Sequence, residues 1–458
     1  MESRVRKVRP ALLKGFDQEF LPPEQLQFNA LVELIRRNFE RFGFLPIETP
    51  SAERIEVLTS KGGAEKEIYA LSRLAAEEDD EAAARGALRF DLTVPLARYV
   101  AMRERELAFP FRRYQIQRVW RGENPQVKRG RFREFYQCDI DVINRETLSY
   151  LAEAEIPSVI YSVFREMAIG EFVIRINNRK LLKGILQHFE VSPDAATPVL
   201  RALDKIEKED EAAILGELER HGMRAASARE LYRVIATRRK TDETLALLAE
   251  LGYRNDMYLA GVDELGKMVE AIRLFGVPEG AFAIDLRVVR GLDYYTGTIY
   301  ETTLSAHPDI GSICSGGRYD DLASYFTNTR LPGVGISIGL SRLFARLKEA
   351  SLLRPLARTP AEVLVTTLAP EGLERYLQIA AGLRSHDVNT EVYLERAKIG
   401  KQFEYASKKG FRLAITAGPE EFARGTVKIK NLATQVESDV PAGEIIPRVK
   451  SMLDTKAH

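Results

Sequence analysis

A chain of 458 residues is too long for one compact domain, and 45% hydrophobic with 29% charged residues can bury several cores under a polar surface. It has no run of about 18 apolar residues to cross a membrane, and the basic start MESRVRKVRP lacks the apolar stretch of a secretory signal, while Glu2 and Asp17 argue against a mitochondrial presequence. A net charge of +1 announces no polyanionic partner, and with only Cys138, Cys314 and five scattered histidines no disulfide framework, protein-held metal site or Cys/His nucleophile is expected, as suits a cytoplasmic protein.

Helical periodicity spans 24–42, with Phe28, Leu31, Val32, Ile35, Phe39 and Phe42 on one face and Gly43 as the stop. The extended FLPIETP follows and ends at Pro50. The acidic, alanine-rich AAEEDDEAAARG predicts a solvated loop or helix end, and RFDLT an extended piece before an apolar helix. Residues 113–121 and 133–143 predict two strands joined by the loop GENPQVKRGRF. Roughly 185–265 is rich in Leu, Ala, Glu, Lys and Arg at helical spacing, which predicts a helical insertion. Strands return at AFAIDLRVV, TGTIYETTL and GVGISIG, the last leading into the helix LSRLFARLKEA. LLRPLARTPAE marks a linker. Beyond it a β-α-β-α-β alternation implies a small α/β domain of about 100 residues.

A local run of cations and four constellations carry candidate chemistry. Arg112, Arg113, Arg118, Arg121, Lys128, Arg129, Arg131 and Arg133 are opposed between 112 and 133 by Glu123 alone, which points to an anionic ligand. On the strand that follows, Tyr136, Cys138, Ile140 and Val142 suit a core. Alternation then sends Arg133, Phe135, Gln137, Asp139 and Asp141 to the other side. An aromatic plate beside an amide and carboxylates is better explained by a ligand than by a solvated face. Arg121 shares its parity with Gln115 and Gln117, although a surface arginine would read the same, and VKRGR suits either phosphate contact or a solvated loop.

VVRGLDYYTGTIYE gathers Arg290, Gly291, Asp293, Tyr294 and Tyr295, against the alternative of a packed turn. In SICSGGRYDDL, Gly316 and Gly317 permit close approach by a small ligand or form an ordinary turn. In GVGISIGLSRL, Val334, Ile336 and Ile338 occupy one face. Gly333, Gly335, Ser337 and Gly339 leave the other nearly bare, as room for a flat ligand or for close helix packing. Arg342 follows in the first helical turn.

Together these segments resemble the signature motifs of class II aminoacyl-tRNA synthetases, specifically the histidyl-tRNA synthetase family, from KGFDQEF to GTVKIKNL. The segment ending at Pro50 is similar to motif 1, which builds the family's dimer interface. RVWRGENPQVKRGRFREFYQCDIDV resembles motif 2 and GVGISIGLSRL motif 3. VRGLDYYTGTIYE and SICSGGRYDDL are similar to two peptides peculiar to the histidine enzyme. The fold so implied is α/β: an antiparallel-sheet catalytic core in two parts (1–184 and 266–350), a helical insertion (185–265), a linker (351–360) and a C-terminal α/β anticodon-binding domain (361–458). The resemblance also implies ATP with Mg2+, L-histidine and tRNA(His) as ligands and a cytoplasmic homodimer with no membrane association.

By the same resemblance, Arg121 holds the α-phosphate and Arg290 approaches it from the other side, as the catalytic pair. Arg342 lies over the adenine and reaches toward the γ-phosphate. Phe135 stacks beneath the adenine, Glu123 and Gly339 line the nucleotide site, and Arg131 and Arg133 add triphosphate and loop contacts. Asp91, Leu92, Thr93 and Gln137, with Arg121 and Arg290, hold the amino and carboxylate groups of histidine. Asp141 accepts from the imidazole, and Tyr294, Tyr295 and Tyr319 complete the polar fit. No covalent nucleophile, editing domain or metal held by protein alone is implied. Two departures stand out: the motif 2 loop is longer than in many bacterial members, and Ser341 replaces an acidic residue often found before the motif 3 arginine. The rival readings are a non-enzymatic regulator of histidine biosynthesis and a tRNA-binding pseudo-synthetase. The first typically lacks the C-terminal domain and the catalytic arginine, and the second would have lost some of Arg121, Arg290 or Arg342. This chain keeps all of these.

Overall fold

The structure, a computed structural model, describes residues 8–60, 65–73, 86–289, 295–321, 323–354 and 356–454, so the expectations for Arg290 and Tyr294 lie outside the described residues. The chain forms two compact units, Met1–Gln18 with Leu31–Leu353 and Glu19–Ala30 with Arg354–His458.

Helix α1 (Pro22–Arg41) follows the predicted periodicity: Phe28, Ile35 and Phe39 are buried, and Leu31, Val32 and Phe42 half-buried. Gly43, at φ +75°, turns the chain into strand β1 (Leu45–Pro46). Strands β2 (Ala52–Arg54), β3 (Tyr69–Ala70) and β4 (Gly86–Leu88) make a small antiparallel sheet, with helix α2 (Ile55–Thr59) after β2 and α3 (Thr93–Arg103) after β4. The long hairpin β5 (Phe111–Trp120) and β6 (Glu134–Ile143) comes next, then helix α4 (Tyr150–Met167) and strand β7 (Phe172–Asn178).

Helices then occupy the chain as α5 (Arg179–His188), α6 (Pro193–Leu203), α7 (Glu211–Arg220), α8 (Ala225–Ile235), α9 (Thr241–Leu251) and α10 (Asp256–Leu274). Strands β8 (Phe282–Ile284), β9 (Thr298–Leu304), β10 (Ser312–Tyr319) and β11 (Gly333–Ile338) complete the sheet before helix α11 (Leu340–Glu349). Strand β8 is shorter than AFAIDLRVV suggests: the Asp285 N–H makes the last bond to β7, at the Ile176 carbonyl, and its carboxylate then accepts the Arg287 backbone N–H and pairs with Arg175.

The main sheet among the described residues runs β1-β5-β6-β11-β10-β9-β7-β8, antiparallel except for the parallel edge pairs β1·β5 and β7·β8. Helix α11 packs on β6, and α4 packs on β7, β10 and β11. Cys138, Ile140 and Val142 of β6, Val334, Ile336 and Ile338 of β11, and Leu343, Phe344 and Leu347 of α11 are all buried. Each such aliphatic contributes about 1.5–3 kcal/mol by leaving water. This core fixes one face of the sheet and leaves the opposite face of β6 for polar side chains.

Helices α5 and α10 touch backbone to backbone. A Cβ at Gly184 would stand 2.3 Å from the Tyr258 nitrogen, and one at Gly261 2.4 Å from the Leu181 nitrogen. Neither obstacle is the yielding tip of a side chain. Gly261→Ala is therefore expected to destabilise this unit by about 1–3 kcal/mol, read as a lowered thermal midpoint. An unchanged midpoint would show that the two helices are free to separate.

In the second unit, β12 (Val363–Val365), α12 (Leu373–Arg384), β13 (Thr390–Val392), α13 (Ile399–Lys409) and β14 (Leu413–Thr416) form the expected β-α-β-α-β run. Helix α14 (Pro419–Ala423), strands β15 (Thr426–Asn431) and β16 (Glu437–Pro441) and helix α15 (Ile445–Asp454) follow. The sheet order is β13-β12-β14-β15-β16, parallel through β14 and antiparallel beyond it. Strand β16 escapes sequence reading because only Val440 in it is buried, so it shows no apolar run. Val363, Val365, Tyr376, Leu413, Ile415 and Ile429 share one core, and the Tyr376 hydroxyl donates to the Ala417 carbonyl at 2.7 Å.

Candidate active site

The hairpin β5–β6 organises the site. Strand β6 has side chains on alternating faces, and with Cys138, Ile140 and Val142 committed to the core, Phe135, Gln137, Asp139 and Asp141 emerge together on the other. They lead from one chamber into another. The first, of about 370 Å³, is lined by Arg121, Glu123, Arg131, Phe135, Gly339 and Arg342. The second, of about 250 Å³, is lined by Asp91, Thr93, Asp139, Asp141, Tyr295 and Tyr319. Arg121, Gln137, Ser315 and Ser337 border both, so the chambers share a wall.

Arg121 leaves the end of β5 with its backbone N–H donating to the Arg133 carbonyl at 2.8 Å and its Nε to the Phe90 carbonyl at 3.0 Å. Its guanidinium stands 5.2 Å from the centre of the Phe135 ring, and Glu123 is 3.9 Å away. A cation held by one N–H over an aromatic face retains donors for an anion. Arg342, in the first turn of α11, donates to the Ile310 carbonyl at 3.2 Å. The backbone of Gly130 (φ +68°) lies against it: a Cβ there would come within 3.1 Å of the Arg342 side chain.

The second chamber is acidic with one buried counter-charge. Arg113 of β5 is fully buried and faces Asp141 across the ladder, with its Nη2 2.5 Å from Asp141 Oδ2. The Tyr319 hydroxyl donates to Asp141 Oδ1 at 2.7 Å. Burial pushes the Asp141 carboxyl up to about 6, with Arg113 and Tyr319 pulling the other way. Burial likewise pushes Asp139 up to about 7, with Arg113 and the Ser337 hydroxyl pulling the other way and Asp141 and Asp91 adding to the rise. Tyr295 is raised by burial and by the neighbouring carboxylates, so it enters as a neutral phenol.

The glycines of β10 and β11 make room for these side chains. Strand β11 pairs Gly335 with Asp141, and a Cβ at 335 would lie 2.1 Å from Asp141 Oδ1. A Cβ at Gly333 would meet the Tyr319 ring at 2.4 Å, and one at Gly317 the Tyr295 ring at 2.8 Å. The bare face of GVGISIG is thus largely filled by the site's own carboxylate and phenol, and only Gly339 has open space before it. Gly316 and Gly317 lie within the central strand β10 rather than in a turn.

The cationic cluster read from 112–133 divides. Arg112 pairs with Glu155, Arg113 with Asp141, and Arg118 lies over Tyr136 near Glu134, which leaves Arg121 and Arg131 at the first chamber. Arg133 lines neither chamber: its Nε donates to the Glu123 carbonyl at 3.2 Å, and its side chain packs against Gly15. Leu92 is buried beside Asp91 and Thr93, outside the lining. Arg318 is held by Glu153 at 2.6 Å and Asp320 at 3.1 Å. Ser341 ties the site to its surroundings, accepting the Tyr136 backbone N–H at 2.8 Å and donating to Gln18. Sequence reading reaches Arg113 only as part of the cationic cluster, Asp139 only as part of the polar face of its strand and Ser337 only as part of a bare face, with no individual role for any of them, and it misses Ser315. Arg113 was legible in principle, since it shares the parity of Gln115 and Gln117. Among the described residues no group of three or more His, Cys, Asp or Glu side chains is placed to hold a metal ion, and no helix is long and apolar enough to cross a membrane.

A largely antiparallel sheet that carries an arginine-and-phenylalanine chamber from motif 2, closed by the motif 3 arginine, is the core of a class II aminoacyl-tRNA synthetase. The family model described as histidyl-tRNA synthetase matches residues 17–343, and that for an anticodon binding domain matches 362–452. A Histidine–tRNA ligase of Stenotrophomonas maltophilia (strain K279a) is 47% identical, covering 92% of this chain and 94% of its own. One of Clostridium tetani is 44% identical, covering 97% and 99%. The crystal structure of histidyl-tRNA synthetase from Nostoc sp. PCC 7120 superposes with a TM-score of 0.88 at 39% identity, covering 97% of this chain and all of that one. The chain belongs to the histidyl-tRNA synthetase family.

Proposed function

We propose that this protein activates L-histidine with ATP to histidyl-adenylate and transfers the histidyl group to the 3′ end of tRNA(His). The observation that carries the reading is the shared wall: a cationic, aromatic chamber fit for a nucleotide opens onto an acidic, phenolic one fit for an amino acid, with Arg121 on both. The histidine carboxylate attacks the α-phosphorus of ATP, an oxygen–phosphorus bond forms, and pyrophosphate leaves. Two anions must meet, and Arg121 offsets the charge that develops where they do. Phe135 and Arg342 sandwich the adenine, Glu123 and Gly339 flank it, and Arg131 reaches the triphosphate. Asp91, Thr93 and Gln137 hold the backbone groups of histidine. Asp141, backed by Arg113, receives an imidazole N–H, with Tyr295 and Tyr319 beside it. The terminal ribose hydroxyl of the tRNA then attacks the activated carbonyl, and AMP leaves.

Arg290 and Tyr294 belong to the same site by family resemblance, Arg290 opposite Arg121 on the α-phosphate. Magnesium would enter with ATP as part of the nucleotide substrate and would draw charge off the phosphates. The chain works as a cytoplasmic homodimer. Residues 1–184 and 266–350 form its catalytic core, 185–265 the helical insertion, 351–360 the linker and 361–458 the anticodon-binding domain. The deciding measurement is histidine-dependent ATP–pyrophosphate exchange. Exchange that requires histidine and is followed by charging of tRNA(His) is the expected result. Binding of tRNA(His) without exchange would instead make the chain an inactive synthetase-like protein.

A further inference from the structure

Asp139 has no role in the mechanism above, yet it is 3% exposed and lines the amino-acid chamber. Its Oδ1 is buried and has no hydrogen-bond partner among the described residues. Leaving a carboxylate oxygen so placed is costly unless a ligand completes it. The hydrogen bonds beside it have a direction. Gln137 Nε2 donates to the Ser337 hydroxyl at 2.8 Å, which turns the hydroxyl proton toward Asp139. That leaves Gln137 Oε1 as a second buried acceptor without a partner among the described residues. Two adjacent acceptors, one of them anionic, call for a ligand group that donates several hydrogen bonds and carries positive charge.

Position says which group. Residues two apart on a strand are separated by about 7 Å. Gln137 sits at the wall shared with the nucleotide chamber, and Asp141 at the far end among the tyrosines. Asp139 lies midway. An amino acid whose carboxylate meets the α-phosphate at the wall, and whose side chain reaches Asp141, presents its α-ammonium at that middle level. We infer that Asp139, together with Gln137 Oε1, receives the α-ammonium of the substrate and is a specificity-determining residue that rejects ligands lacking that charge. The inference rests on the histidine reading of this chamber.

Among the described residues, the charged and titratable groups around Asp139 are Arg113 on β5, Cys138 and Asp141 on its own strand, Asp91 ahead of α3, Tyr295 ahead of β9, Cys314 on β10 and Arg121 on the wall of the same chamber. Of these two arginines, Arg113 is engaged by Asp141, and Arg121 stands at the wall shared with the nucleotide chamber. Burial raises the Asp139 carboxyl to about 7, so it is ionised above that pH and neutral below it. Attraction for an ammonium is accordingly present above pH 7 and is lost as pH falls through 7.

The test compares L-histidine with 3-(imidazol-4-yl)propionate, which lacks only the α-amino group. In Asp139→Asn, the affinity for histidine is expected to fall about tenfold or more at pH 8, while the affinity for the deaminated ligand and the KM for ATP change less than about threefold. The histidine defect relative to wild type shrinks toward pH 6. Equal losses for both ligands, or no loss for histidine, overturn the inference. Asp139→Ser provides a smaller neutral variant. The wild-type protein provides a measurement that needs no variant: calorimetry at pH 7 in buffers of different ionisation enthalpy. Release of about half a proton or more per histidine bound is expected, and a quarter or less, which the imidazole alone supplies, overturns the inference. Wild-type protein that shows no histidine-dependent exchange would remove the activity reading itself, whereas intact exchange with equal ligand losses would remove only the role of Asp139.

Discussion

Arg121→Ala is expected to slow ATP–pyrophosphate exchange by about 10² to 10³-fold, mostly in kcat. The side chain is held from behind by the Phe90 carbonyl and from below by the Phe135 ring, so its remaining donors are fixed before any ligand arrives. A fixed charge needs no reorganisation as the phosphorus gains a fifth oxygen. Lysine at 121 cannot reproduce this, because its ammonium has neither the planar fork nor the same stacking on Phe135, and Arg121→Lys is expected to recover little of the loss. Rates within threefold of wild type in both variants would place the phosphate elsewhere.

The second large effect is double-edged. Asp141→Asn removes the carboxylate that touches the fully buried Arg113 guanidinium and leaves Asp139 as the carboxylate nearby, which costs about 3 kcal/mol of stability. It also removes the charged acceptor proposed for the imidazole N–H, which raises the KM for histidine by about 100-fold and that for ATP much less. The two effects are separable. Arg113→Met in the Asp141→Asn background removes the stranded cation, so the thermal midpoint should recover while histidine use does not. If histidine use recovered with the midpoint, Asp141 would act only by holding the fold.

What was legible in the sequence follows from periodicity. The period of two in REFYQCDIDV separates core from site without any knowledge of the neighbouring strands. Arg113 was harder: its partner Asp141 is defined by the register of the β5–β6 ladder, and one step of slip would send it to the other face. A buried arginine is also improbable on composition alone. The glycines show a different limit. Small residues on a strand signal that something comes close, but not whether it is a ligand or the molecule itself, and at Gly333 and Gly335 it is Tyr319 and Asp141. For Arg133 the resemblance implies a triphosphate or loop contact, and no sequence pattern shows that its side chain packs beside Gly15 with its Nε on the Glu123 carbonyl.

The wall common to the two chambers has a consequence for inhibition. A single compound that joins a nucleoside mimic to an imidazole-bearing amino-acid mimic would lose its translational freedom once instead of twice, and a linker short enough to pass Arg121 and Gln137 would present each half to its own chamber at roughly millimolar effective concentration. Two weak fragments joined in this way should bind far more tightly than either alone.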